Sequence, residues 1–177
     1  MSLTLADQYY LKAKDNYPWD LNEAQENLNY ALSYDDEHVA ANCLMARFCL
    51  EQFNDCNRAA SHYRAALGFD PENGRIYLEY AYVLLIAKKI AEAKKVLKYA
   101  KGLKNIEQGP MLRMWGLFFE YQKKFSKAKA AFQKAKLESY DPEYIAFLDE
   151  DSKRAGNKMK MTKEFLSLSG KKKRKKK

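Results

Sequence analysis

Between Ala24 and Ala135 one arrangement of apolar positions occurs four times: a small residue, a large apolar residue four places on, and a small residue three places beyond. It reads Ala24, Leu28, Ala31; Ala59, Tyr63, Ala66; Ala93, Leu97, Ala100; and Ala128, Phe132, Ala135, so equivalent first alanines step by 35, 34 and 35 residues. Positions three and four apart share one face of an α-helix. Alanines on that face let a neighbouring helix approach closely while the large residue fills the space beside it. The pattern therefore predicts four helices, each lying against a partner.

A first helix is predicted ahead of each. Two show clearly, as Tyr77, Tyr80, Ala81, Leu84 and as Leu112, Trp115, Gly116, Phe119, with large, large, small, large spacing. Met45, Ala46 and Cys49 fit more loosely and precede a long turn through Gln52 to Arg58, while Tyr10, Ala13 and Tyr17 fit approximately, with Pro18 ending the helix early. The repeat-closing proline stands at Pro71, with Asp36, Asn105 and Tyr140 at the equivalent places and Asp141-Pro142 slightly late, so most junctions keep turn or cap chemistry.

In period and spacing the chain resembles the tetratricopeptide-repeat family from about Leu5 to Pro142, with two strong repeats and two degenerate ones. The resemblance implies an all-α, right-handed superhelix of about four helix hairpins, with a C-terminal capping helix and a basic tail. It also implies a concave groove, lined by first helices, that binds an extended peptide or a partner helix. By register the groove candidates are Leu44, Arg47, Leu78, Tyr82, Ile86, Arg113, Met114, Leu117 and Tyr121. Apolar and aromatic residues edged by arginine suit an amphipathic ligand, although spacing alone leaves open that the aliphatic members complete the core. A family variant clamps a terminal carboxylate with Lys and Asn four apart, a later Asn and a final basic pair. Lys12 and Asn16 match, but Leu44 stands at the later Asn and Arg75 with Glu79 at the basic pair, so the clamp is rejected.

After Pro142, Tyr144, Ile145, Phe147 and Leu148 alternate with acids, as in a helix that closes the open end of a repeat stack. Gly156 and Asn157 predict a break, beyond which Met161, Phe165 and Leu168 stand at helical spacing. The expected organisation is a repeat domain with its capping helix over 1–152 and a basic, flexible tail over 153–177.

Charge sharpens that division. The net charge of +9 is uneven: Lys153 to Lys177 holds 12 Lys/Arg against one acid, net +11, while the remainder holds 20 against 22, net −2. Within the remainder, residues up to Glu79 carry 13 acids and 6 bases, and Tyr80 to Tyr140 carry 14 bases and 4 acids. The final run Lys171, Lys172, Lys173, Arg174, Lys175, Lys176, Lys177 repels itself, so it is expected to stay unfolded until a polyanion neutralises it. Nucleic-acid phosphates, an acidic membrane surface or an import receptor would all serve. Lys98 and Lys134 head lysine-rich outer faces of second helices, which read either as solvated surface or as further contacts for an acidic partner.

Catalysis finds no convergent set of residues. His38 and His62, the two histidines, lack partners in any recognisable motif and read as surface residues, and the seven glycines stand singly, which excludes a glycine-rich phosphate loop. Cys43, Cys49 and Cys56 lack the paired spacing of a zinc site or a disulfide framework. No cofactor is expected. The longest apolar run, Ala81 to Ala87, is too short to cross a bilayer, and Met1 to Tyr10 shows no basic stretch followed by an apolar one. The expected compartment is the cytoplasm, or the nucleus in a eukaryotic host. The leading expectation is a non-catalytic adaptor whose groove binds a protein and whose tail tethers it to a polyanion. The alternatives are a nucleic-acid-binding, for instance ribosome-associated, protein using Lys98, Lys134 and the tail, or a structural subunit of a larger assembly with Tyr9, Tyr10, Tyr30 and Tyr34 at its contacts.

Overall fold

The structure, a computed structural model, describes the backbone of residues 3–174 and the side chains of residues 3–167. Among the described residues it is α-helical without strands, and the chain divides into two compact units, Met1–Ile106 and Glu107–Lys177.

The first unit holds three helix hairpins: α1 (Leu5–Asn16) with α2 (Leu21–Tyr34), α3 (Val39–Phe53) with α4 (Cys56–Phe69), and α5 (Gly74–Ile86) with α6 (Ile90–Ala100). The second holds the hairpin of α7 (Gln108–Tyr121) and α8 (Phe125–Leu137), followed by α9 (Pro142–Arg174), which lies against α8. The residues that start these helices satisfy their otherwise unpaired N–H groups. Thr4 and Asp7 form a reciprocal capping box, and Asp20, Asp55 and Asp141 each accept from backbone N–H groups one turn ahead. Pro142 then occupies the first helical position of α9, where a missing N–H costs nothing.

The repeated stripe is the core. Ala24, Leu28 and Ala31, Ala59 and Ala66, Ala93, Leu97 and Ala100, and Ala128, Phe132 and Ala135 are all fully enclosed, with Tyr63 nearly so. At the position of Ala46 and Ala81 the fourth hairpin has Gly116, where a Cβ would fall 2.3 Å from Phe132 Cε1. A larger residue in the α8 stripe is thus matched by a smaller one in α7. The face of α7 is otherwise turned from expectation: Met111, Met114, Leu117 and Phe118 are buried, while Leu112, Trp115 and Phe119 are half-buried.

Two other expectations change. The turn between α3 and α4 is short, because α3 continues to Phe53 and only Asn54 and Asp55 connect it to α4, with Asn54 in the left-handed region at φ 51°. The break at Gly156–Asn157 is absent, and α9 runs through it. A glycine inside a helix costs about 1 kcal/mol relative to alanine, but here it is bracketed by buried Ser152 and Ala155 on one side and by the Lys158 ion pair on the other.

Candidate interaction site

The groove candidates fall into three groups. Leu44, Leu78, Met114 and Leu117 are buried, so these four lie in the core rather than on an open surface. Tyr82 and Tyr121 are exposed, and Arg47 and Ile86 are intermediate. Arg47 also lies 3.7 Å from Glu51 and sits over the Tyr17 ring.

Arg113 is already engaged by α9. Its Nε donates to Asp151 Oδ2 at 2.9 Å and its guanidinium stands 4.4 Å from the Phe147 ring centre. Two turns further along the same face of α7, Glu120 accepts from Arg154 Nε at 2.9 Å and Nη2 at 2.7 Å, and from Lys158 Nζ at 2.8 Å. Arg154 Nη1 also donates to Asp151 Oδ1 at 2.6 Å. Both carboxylates are nearly enclosed, at 7% and 3% side-chain exposure. Burial by itself would raise the pKa of Glu120, but the hydrogen bonds and charges of Arg154 and Lys158 outweigh it and the net shift is downward. The inner face of α7 is therefore occupied by α9 through a two-carboxylate, three-cation network. Sequence spacing did not single out Glu120, Arg154 or Lys158, because α7 and α9 partners 34 and 38 residues apart follow no local pattern.

The equivalent polar cluster in the first unit supports the rejection of a carboxylate clamp. Arg75 Nε donates to Glu79 Oε1 at 3.1 Å and Tyr63 donates to Glu79 Oε2 at 3.0 Å, so Arg75 is neutralised and an acid lies beside it. Both histidines are structural rather than surface residues. His38 caps α3, accepting from Ala41 N at 3.1 Å while its other nitrogen lies 3.2 Å from Asp7; His62 Nδ1 lies 2.9 Å from Asn42 Oδ1, and burial lowers its pKa. Burial likewise pushes the Cys43 thiol up to about 12 and raises Cys49, leaving both thiols protonated and weakly nucleophilic. Among the described residues no group of three His, Cys, Asp or Glu could hold a metal ion, and no helix is long and apolar enough to cross a membrane.

Of the cationic candidates, Lys98 and Lys134 are exposed, as are Lys94, Lys95, Lys101, Lys104 and Lys127. Lys136 is paired with Asp149 at 2.6 Å. The run Lys171 to Lys177 lies outside the described side chains, and Lys175, Lys176 and Lys177 lie outside the described residues altogether.

The chain has the fold of tetratricopeptide-repeat (TPR) proteins. It is similar in structure to the pilF protein of Pseudomonas aeruginosa, with TM-score 0.67 and 22% identity over 89% of this chain and 76% of that one. A thermophilic TPR protein of Thermus thermophilus gives TM-score 0.69 at 14% identity over 82% and 80% of the two chains. MamA of Desulfovibrio magneticus gives 0.64 at 18% identity over 95% and 98%. At these identities the likeness is one of fold. No protein-family model and no curated protein sequence matches the chain.

Proposed function

We propose that this chain is a non-catalytic adaptor: its helical repeats hold a protein partner, and its C-terminal cations tether the pair to a polyanion. The observation that carries the reading is the charge break on a TPR fold, with 12 cations against one acid from Lys153 onward beside a body of net −2. In the first unit the partner face is reduced to Tyr82, Ile86 and Arg47, the groove candidates that keep exposed surface there. Tyrosine and arginine are favoured at interface centres. The test compares proteins retained by the full chain, by a chain ending at Ser169 and by a Tyr82→Asp/Ile86→Asp variant, each with and without nuclease. A partner that survives truncation and nuclease but is lost from the double variant is the expected result. Equal retention by all three would refute the reading.

A second reading, a nucleic-acid-binding protein proper, is favoured by the exposure of Lys94, Lys95 and Lys98 together on α6. It requires that Lys98→Glu with Lys134→Glu lower RNA affinity and flatten its salt dependence. An unchanged slope excludes these lysines from the contact.

A further inference from the structure

Helix α9 is much longer than its role in closing the fourth hairpin needs. Its 33 residues span about 50 Å, against about 20 Å for the 14 residues of α7 and 13 of α8. Among the described side chains its last buried residue is Ala155, and its last ion pair to α7 is that of Lys158 with Glu120. From Met159 the helix overhangs.

The overhang is amphipathic. At about 100° per residue, Met159, Met161, Phe165 and Leu166 fall on one half of the circumference, and Lys160, Lys163, Glu164 and Ser167 on the other. Met161, Phe165 and Leu166 are 67%, 71% and 61% exposed, while Met159 is half-buried. Glu164 is the one acid after Ser152, and the sequence then runs into seven consecutive cations.

We infer that the overhanging half of α9, with the cationic run after it, binds an anionic phospholipid bilayer, laying Met161, Phe165 and Leu166 into the headgroup and acyl boundary. The inference rests on the tether reading and names its polyanion. A nucleic acid would neutralise the charge but leave the apolar half in water. A second copy would bring together two overhangs, each with nine cations against one acid. Seven consecutive cations carry no periodicity in the sequence, so they match a diffuse anionic surface better than one registered row of acids in a protein groove. A bilayer of acidic lipid takes both features at once: the apolar half enters, the lysines opposite stay at the headgroups, and the run is neutralised.

The test uses the full chain, a Met161→Ser/Phe165→Ser/Leu166→Ser variant of unchanged charge, and a chain ending at Ser169. Each is sedimented with vesicles of phosphatidylcholine alone or with about 30 mol % phosphatidylglycerol, and titrated in parallel with poly(U). The serine substitutions lie on exposed positions beyond the α7 contacts, and helicity by circular dichroism confirms that the body stands. The expected result is binding of the full chain to the anionic vesicles and not the neutral ones. The serine variant should then bind at least about tenfold more weakly, with unchanged affinity for poly(U). Equal vesicle binding by the serine variant would overturn the inference, showing a purely electrostatic contact. So would poly(U) binding without vesicle binding, which assigns the tail to nucleic acid and leaves the tether reading standing. Binding to neither would overturn both.

Discussion

The pair formed by Glu120 and Arg154 offers a direct measure of what holds α9 in place. Arg154 grips the carboxylate with two hydrogen bonds of 2.9 and 2.7 Å, in a geometry where Glu120 is 7% exposed and Arg154 42%. An exposed ion pair contributes under about 1 kcal/mol, and breaking a fully buried one costs about 3–5 kcal/mol. A bidentate pair with one enclosed partner should fall between them, at a coupling of about 2 kcal/mol. The perturbation is a double-mutant cycle of Glu120→Gln and Arg154→Met, in which methionine keeps much of the arginine stem against the helix. Repeat arrays unfold in parts, so the assay is amide hydrogen exchange over the described turns of α9, between Ser152 and Lys158. A coupling of that size means that the double variant exchanges about 30-fold more slowly than the two single effects combined predict, at 1.4 kcal/mol per tenfold. A coupling below about 0.5 kcal/mol, within the error of additive sites, would refute the reasoning. It would mean that apolar contacts of Leu148 and Ala155 hold α9 and the ion network is incidental.

The same network makes docking acid-sensitive. Because Glu120 titrates below its ordinary 4.5 when folded, its contribution is complete above that value and is lost as pH falls through the lowered one. The protection of α9 amides, taken relative to the intrinsic exchange rate at each pH, should fall in acid in the native chain and less so in Glu120→Gln. Gly116→Ala places a methyl 2.3 Å from the Phe132 ring. It should lower the unfolding free energy measured by urea titration by a net of about 1 kcal/mol despite the helix preference of alanine, and Phe132→Leu in the same chain should restore it. Lys88 and Lys123 both adopt φ 59° in the turns after α5 and α7. Lys88→Gly and Lys123→Gly should each relieve about 0.5–1 kcal/mol of left-handed strain and raise Tm by about 2 °C.

The fold was legible because each repeat writes its core locally. Ala93, Leu97 and Ala100 lie within two helical turns, so period and spacing expose the buried stripe before any contact is known. The first helices were less legible. Leu44, Leu78, Met114 and Leu117 obey both a groove register and a core register, and burial, not spacing, decides between them. The role of α9 was hidden further. Its alternation of apolar and acidic residues announced a closing helix, but the acid that matters, Asp151, is enclosed and partnered by Arg113, 38 residues earlier. Gly156 and Asn157 read as a break because local propensity is all a sequence window contains; the tertiary bonds on either side override it.

That override divides the C-terminal charge. By composition all 12 cations from Lys153 belong to one tail, yet Lys153 is bound to Glu150, Arg154 to both Glu120 and Asp151, and Lys158 to Glu120. From Met159 onward nine cations remain against one acid. Of the cations before this point Arg154 and Lys158 hold the helix on α7 and Lys153 pairs within α9, and the ones after it accompany the exposed Met161, Phe165 and Leu166. Arg154 and Lys158 are fixed by nearly enclosed carboxylates, so a polyanion must break buried contacts to recruit them, whereas it meets no such cost at Lys160 and Lys163, which are exposed. The functional boundary thus follows the last ion pair, six residues beyond the composition break after Ser152. A chain ending at Lys158 keeps the ion pairs that join α7 to α9 while losing the C-terminal charge a polyanion could reach.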